Sequence, residues 1–390
     1  MAKTLMAVDA GTGSVRAVLF SLEGEQLGCV QQEWTHREDP RYPGSMDFDW
    51  VHNWDLARGC IRGVIEQTGV DPHDIAAVST TCMREGIVLY DKDGQEIWAC
   101  ANVDARSDDE VAQLVHMNPE LEKQIYRESG QTYALGALPR LFWVKNKMPE
   151  VYEKTAMCTM FNDWLIYKMT GVFSSEPSNA CTTGIFDLKA RDWDDQIAAS
   201  IGLKTGIFPK ISECGTVVAQ VGAKGAAETG LAEGTLVVAG GGDAQLGCVG
   251  VGVVDANQAA IFGGSFWQYE YNTDEAKTDE HCRVRVNCHS VPGIWQYEAL
   301  AFKPGMVMRW YRDAFCQYEK ELSKTTGRDP YDLMNEKAKD IPAGCYGMMC
   351  AFSDVMNYIS WRHASPMFIN FDFDPDKFNR YTFYRAIMEN

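Results

Sequence analysis

The chain reads as an α/β protein of two domains, built on a repeated unit of strand, glycine turn and strand. Three observations predict this. Residues 5–8 make a short apolar strand that ends in Asp9-Ala10-Gly11-Thr12-Gly13, and a second strand follows over 15–20. A β-branched and apolar run over 235–239 empties into Gly240-Gly241-Gly242-Asp243. A further strand over 258–262 turns through Gly263-Gly264-Ser265 into another over 266–271, repeating the N-terminal arrangement. With 390 residues and 46% apolar content the chain can bury two cores, because single domains usually stop growing near about 250–300 residues. The boundary is placed between residues 255 and 256.

Taken in order, the strands over 5–8, 15–20 and 26–34 form an antiparallel meander, with Glu23-Gly24-Glu25 turning the chain between the last two. Asp49 caps a helix that runs to Gly69, Asp71-Pro72 ends it, and 75–79 returns as a buried strand leading into a loop at Thr80 to Gly86. Helical segments are expected over 106–168, with Trp143 and Trp164 on apolar faces that serve packing. After the second glycine turn, 244–254 looks like a buried, glycine-dotted helix with Asp243 at its N-cap.

The net charge of −18 is spread along the chain, which disfavours nucleic acid and anionic membranes and suits a small neutral ligand. Asp9 and Arg16 interrupt the N-terminus before an apolar targeting segment could form, and no uncharged run approaches a membrane span, so a cytoplasmic protein is expected. Thirteen cysteines without a C-x-x-C pair read as reduced thiols used as small hydrophobes.

The glycine turns carry the chemistry. Without a β-carbon at Gly11 and Gly13 the backbone can bring its N–H groups close to phosphate oxygens, while Asp9 can hold an accompanying magnesium ion through water; an ordinary hairpin turn would show the same local sequence. Asp243 stands at the end of a strand and the start of a helix, where open α/β sheets place ligands. It is the candidate general base, accepting a hydroxyl proton as that oxygen attacks the terminal phosphorus of a nucleotide, and a second magnesium partner. A plain N-cap is the alternative role. Arg84 and Glu85 could hydrogen-bond neighbouring hydroxyls of a polyol or sugar, or form a surface ion pair. Arg16 could reach phosphate or be solvated, and Gln245 could contact substrate or face solvent. His281-Cys282 and Cys288-His289 look like metal ligands, yet period-two alternation puts His281, Arg283, Arg285, Asn287 and His289 on one strand face and the thiols on the other, which argues against zinc. There is no G-x-x-x-x-G-K-[ST], no G-x-S-x-G and no complete G-x-G-x-x-G.

Asp9 to Arg16, Met83-Arg84-Glu85, Leu138-Pro139-Arg140-Leu141-Phe142-Trp143, Gly240 to Gln245 and Gly263-Gly264-Ser265 stand in the order seen in the FGGY carbohydrate kinases. The chain resembles that family over nearly its whole length. Within it, the stretches 83–90, 98–106, 177–184, 240–247 and 309–316 look most like the autoinducer-2 kinase group. The resemblance implies an actin-like ATPase (ribonuclease H-like) duplicated fold, two domains around a cleft, with ATP and Mg2+ as cofactors. It implies phosphorylation of a hydroxyl of the linear autoinducer-2 quorum-sensing signal. Asp243 would be the base, and Arg84, Glu85 and Gln245 would bind substrate with it. Asp9 and Asp243 would serve magnesium through water, and Gly11, Thr12, Gly13, Arg16, Gly263, Gly264 and Ser265 would hold nucleotide phosphates.

Members of the family usually run past 390 residues, so the second domain is expected to be incomplete, to lack the adenosine motif and to have impaired activity. Gly13 also stands where many relatives have threonine, and Arg140 where many have lysine. A pentulose or polyol kinase and a non-catalytic sugar-binding remnant are the alternatives. A small sugar-like substrate, no nucleic acid and no membrane are the expected partners, and a homodimer is compatible with the sequence.

Overall fold

The computed structural model describes residues 3–134, 136–263, 267–301, 304–352 and 367–390. It divides into two compact units, one of Met1–Gln258 with Tyr271–Tyr297 and one of Ala259–Glu270 with Glu298–Asn390.

In the first unit β1 (Thr4–Ala10), β2 (Ser14–Ser21) and β3 (Gln26–Glu33) form the expected antiparallel meander. Met6, Val8 and Ala10 alternate onto the buried face of β1, as do Val15, Ala17 and Leu19 on β2. The helix Trp50–Thr68 starts where Asp49 accepts the His52 N–H and stops at Gly69, whose φ of 65° lets the last turn close. Trp54, Ala57, Ile61 and Val64 recur on one side of it and are buried in the core with β1 and β2. After the Asp71-Pro72 break, β4 (Ile75–Cys82) runs parallel to β1.

Two short strands that the sequence pattern leaves unassigned follow, and a third interrupts the helical stretch expected over 106–168. β5 (Ile87–Tyr90), β6 (Glu96–Cys100) and β7 (Met157–Met160) form a three-stranded sheet in the order β6-β5-β7. Between β6 and β7 lie helices Asp108–Met117, Leu121–Ser129, Ala137–Lys147 and Pro149–Lys154, and Phe161–Thr170 follows β7. Trp143 and Trp164 are both core residues, as their apolar faces predicted.

A short hairpin, β8 (Phe186–Asp187) with β9 (Asp192–Trp193), precedes β10 (Val217–Gln220) and β11 (Leu236–Gly242). The principal sheet has the order β10-β11-β4-β1-β2-β3, with β11 parallel to β4. β3-β2-β1-β4-β11 is the ribonuclease H-like order. Its consequence is geometric: Ala10 faces Cys82 and Cys82 faces Gly242, so three parallel strands end side by side.

The residues after β11 continue as the helix Asp243–Gly250, shorter than the 244–254 read from sequence. Four strands make a further sheet in the order β12-β13-β15-β14: β12 (Ala259–Gly263), β13 (Trp267–Thr273), β14 (Arg285–Cys288) and β15 (Trp295–Ala301). β14 is half the length expected for 281–289, because Cys282 takes a left-handed conformation (φ 52°) and Arg283 turns back to pair with Asp279. His281 and Arg283 therefore do not share a strand face with Arg285 and Asn287.

In the second unit, helices Pro304–Phe315, Gln317–Thr326, Pro330–Ala338 and Arg380–Glu389 pack Val307, Tyr311, Met334, Tyr384 and Ile387 together. Beside them β16 (Met349–Ala351) pairs with β17 (Met367–Ile369). Among the described residues no helix is long and apolar enough to cross a membrane.

The register between β4 and β11 slips between Val238 and Gly241, and at that bulge Gly240 lies against β4 so closely that a Cβ would stand 1.5 Å from the Thr80 carbonyl oxygen. Only glycine fits there. Gly240→Ala should lower the free energy of unfolding by about 3 kcal/mol or more. Gly250→Ala, which meets open space, should change it by less than about 1 kcal/mol. Urea titration of both variants checks this, and matching midpoints would refute the close approach.

Candidate active site

Because Ala10, Cys82 and Gly242 are neighbours across the sheet, the next residues of each strand emerge from one edge. These are the first glycine turn, the Met83–Gly86 loop and Asp243.

The first turn is held from behind. Trp34 Nε1 donates to the carbonyls of Gly11 (2.9 Å) and Thr12 (3.2 Å), and the Trp34 N–H donates to Gly13 O (3.1 Å). His36 Nε2 lies 2.7 Å from Thr12 O, and since a carbonyl can only accept, His36 carries its proton there. All three carbonyls of the turn are thus occupied, while the N–H groups of Gly11, Thr12 and Gly13 have no acceptor among the described residues. Such a row of free backbone donors suits an anion. Trp34 and His36 were not singled out in the sequence, where nothing local ties residues so far along the chain to the turn. Thr12 Oγ1 meets Asn102 Nδ2 at 3.0 Å. Asp9 accepts from Arg16 Nε (2.9 Å), so Arg16 is engaged with the carboxylate. Loss of hydration raises the Asp9 pKa, against the pull of Arg16.

The Met83–Gly86 loop is no surface feature, which corrects the ion-pair alternative: Arg84 is 4% and Glu85 5% exposed. They do not pair with each other. Arg84 Nε lies 3.7 Å from Asp243 Oδ1, and Glu85 Oε1 accepts from Arg285 Nη1 at 2.7 Å. Glu85 has a φ of 65°, a conformation that costs a side-chain-bearing residue about 1–3 kcal/mol. Two arginines hold it there: Arg285 on the carboxylate, and Arg140, whose Nη1 donates to the Glu85 carbonyl. Arg140 Nη2 also donates to Asn102 O (2.6 Å) and Asp104 O (2.9 Å), tying the Met83–Gly86 loop to the segment that meets Thr12. Arg285 Nε donates in turn to Gln131 Oε1 (2.7 Å), and Gln131 Nε2 to Asn287 Oδ1 (3.0 Å). Gln131 had no sequence signal beyond its place after Gly130.

Asp243 is the first residue of its helix, not the N-cap; Gly242, still extended as the last residue of β11 (φ −63°, ψ 145°), takes that position. Among the described residues the Asp243 carboxylate accepts only its neighbour's N–H, Ala244 at 2.9 Å. With 47% of its side-chain surface open, it faces outward rather than into the helix end. Protein crowding still strips enough water to push its pKa up to about 6; Arg84 opposes this, and Glu85 and Asp9 add to it. Gln245 is fully buried, and neither its Oε1 nor its Nε2 has a hydrogen-bond partner among the described residues. An added Cβ on Gly242 would meet Gln245 Oε1 at 2.6 Å and Arg84 Cδ at 3.0 Å, so both side chains lie over this glycine beside Asp243. The buried Tyr133 hydroxyl is likewise without a partner among the described residues.

Gly263 ends β12, and its missing Cβ makes room for the Trp267 ring, 2.9 Å from where that carbon would stand. Gly264 and Ser265 lie outside the described residues. Among the described residues no three His, Cys, Asp or Glu side chains gather into a metal cage.

Glycine-turn donors and a half-open aspartate thus share one edge of a sheet with the strand order of the actin-like ATPase fold. Solved structures agree in fold: xylulose kinase from Rhodospirillum rubrum (TM-score 0.84, 22% identity, 99% of this chain and 76% of that one) and Plasmodium falciparum glycerol kinase with ADP (TM-score 0.82, 16%, 100% and 76%). Residues 4–250 match the N-terminal domain of the FGGY family of carbohydrate kinases, and the chain belongs to that family. It is 47% identical over 387 residues to autoinducer-2 kinase of Klebsiella pneumoniae, covering 99% of this chain and 73% of that protein. It is 48% identical to the autoinducer-2 kinase of Enterobacter sp. with the same coverage.

A carboxyl group whose folded value is raised binds its proton more tightly in the native state, so Asp243 costs stability as pH rises through the window from 3.8 to about 6. Asp243→Asn should therefore melt above the unsubstituted protein at about pH 7.5, and the gain should vanish near about pH 4. Thermal melts at the two pH values check this; an equal gain at both would contradict the raised value.

Proposed function

We propose that the chain is an ATP-dependent carbohydrate kinase that phosphorylates a hydroxyl of the linear autoinducer-2 signal in the cytoplasm. The observation that carries this reading is the alignment of three strand ends, which gathers free turn N–H groups, Arg84, Gln245 and Asp243 at one edge. The identity to autoinducer-2 kinases over 99% of the chain supports the substrate. ADP in the glycerol kinase structure supports an adenine nucleotide as donor.

In the proposed reaction Asp243 accepts the proton of the acceptor hydroxyl as that oxygen attacks the terminal phosphorus, the bond to the departing ADP oxygen breaks, and the phosphoryl group moves to the sugar. Gly11, Thr12 and Gly13 offer backbone N–H groups to the phosphates, with Gly263, Gly264 and Ser265 proposed as the second phosphate turn. Arg16, bound to Asp9, adds positive charge near the first turn. Arg84, Glu85 and Gln245 bind sugar hydroxyls, and the unpartnered amide of Gln245 is suited to such a ligand. The chemistry of the donor set fits magnesium: Asp9 on β1 and Asp243 directly after β11 are carboxylates at the ends of strands aligned across β4. Magnesium held by them through water would neutralise charge on the transferring phosphate. Residues 1–255 are proposed as the sugar-binding domain with the base and first turn, and 256–390 as the partner domain.

The test is ATP-dependent phosphate transfer to autoinducer-2 precursor, glycerol and xylulose, followed as ADP release. Transfer to the precursor with Asp243→Asn reduced by at least about 10³-fold, sugar binding retained, is the expected result. The kcat should fall as pH drops through about 6, because the protonated carboxyl cannot accept a proton. Transfer to glycerol or xylulose alone would refute the signal as substrate. Binding of sugar without any transfer would refute the kinase reading.

A further inference from the structure

The turn around Pro177-Ser178-Asn179-Ala180 is buried, polar and not used by the reaction as described. Glu176 caps it: its carboxylate accepts the N–H of Ser178 (2.7 Å) and of Asn179 (2.6 Å), and also the Ser178 Oγ–H at 2.7 Å. With its proton given to Glu176, the Ser178 hydroxyl is left to accept, and it accepts the Gly242 N–H at 3.0 Å. Ser290 Oγ stands 3.3 Å away on the same oxygen. Gly242 is both the residue before Asp243 and the N-cap of the helix that Asp243 begins. On its other side the turn reaches β4: Asn179 Nδ2 donates to Cys82 Sγ (3.0 Å) and to Asn162 Oδ1 (2.8 Å), and Cys82 lies two residues before Arg84.

The packing leaves little freedom. An added Cβ on Gly241 would sit 2.8 Å from both Ser178 Oγ and Ser290 Oγ, so the hydroxyls lie directly against the β11 backbone. The Gly242 N–H, on the peptide next to the base, takes its partner from the Ser178 side chain. Among the described residues no bond from another side chain fixes the outward-facing Asp243 carboxylate more tightly than the 3.7 Å approach of Arg84. Its direction is therefore set by the backbone that carries it.

We propose that Ser178, oriented by Glu176, is a positioning residue for phosphoryl transfer: it locks the Gly242 peptide and so aims the Asp243 carboxylate at the acceptor hydroxyl. This rests on the kinase reaction proposed above. Ser178 is fully buried and its hydroxyl is already engaged by Glu176, Gly242 and Ser290, so its loss acts on turnover and not on binding.

The experiment compares Ser178→Ala, Glu176→Gln and Ser290→Ala in the full chain, with kcat and KM for phosphorylation of autoinducer-2 precursor, sugar binding by calorimetry, and a thermal melt for each. Ser178→Ala should lower kcat about ten-fold, the effect of one lost hydrogen bond, while the KM and sugar affinity stay within about two-fold. Glu176→Gln, which confronts the Ser178 donors with an amide, should lower kcat in the same way even if Ser178→Ala fails to melt cooperatively. Ser290→Ala removes a neighbouring buried hydroxyl that makes no hydrogen bond to Gly242, and its kcat should be unchanged. A Ser178→Ala or Glu176→Gln protein that folds with unaltered kcat overturns the inference, as does equal loss in Ser290→Ala, which would signify packing alone. If the unsubstituted chain transfers phosphate to no sugar, the proposed function falls and this inference with it.

Discussion

The parallel register of β1, β4 and β11 is the constraint on which the candidate site depends. Backbone hydrogen bonding sets Ala10 beside Cys82 and Cys82 beside Gly242, and the Met83 N–H extends the match by donating to Ala10 O at 2.8 Å. A one-residue slip in a strand would turn its side chains to the opposite face and shift its terminal loop along the edge. Gly240 secures the last part of this alignment, since only a residue without a side chain lets β11 approach Thr80 so closely. The apolar faces of β1, β2 and the helix Trp50–Thr68 then bury the sheet and make the register costly to change.

On this frame the site is held by charge and hydrogen bonding in places where most proteins use apolar side chains. Arg140, Arg285 and Arg84 are all buried, and each is turned toward backbone carbonyls or carboxylates of the loops at the sheet edge. Removing one partner of such a set leaves a buried charge unmatched, at a cost of about 3–5 kcal/mol. The arrangement keeps Glu85 in a strained conformation and, among the described residues, leaves Asp243 with no side-chain partner closer than Arg84 at 3.7 Å, so the stabilising contacts surround the proposed base without binding it tightly. The same logic governs the first turn, where Trp34 and His36 consume the carbonyls and leave the N–H groups for a ligand.

Much of this was legible in the sequence. The meander, the Asp49-capped helix and the strand before Arg84 follow from alternation, capping and proline, all of which act within a few residues. The glycine turns marked the site because close backbone approach requires glycine. Misreadings arose where distant residues decide. Asp243 yields the cap to Gly242 because the helix begins one residue earlier than read, directly where the pairing of β11 with β4 ends. β14 is short because Asp279 draws Arg283 back into a turn. β5 and β6 were not read from the sequence and β7 was absorbed into the helical stretch, since each is only four or five residues long and largely buried. Glu85 and Arg285 lie far apart in the chain, and no local pattern joins them. Ser178 looked like part of a family motif, and its bond to Gly242 emerges only when the turn folds against β11.

The most direct test is a crystal structure of the chain with a substrate sugar bound. The acceptor hydroxyl should lie about 3 Å from the Asp243 carboxylate, with neighbouring hydroxyls bonded to Arg84, Glu85 and Gln245. A sugar bound away from the shared edge of β1, β4 and β11, with Asp243 facing only water, would contradict the account.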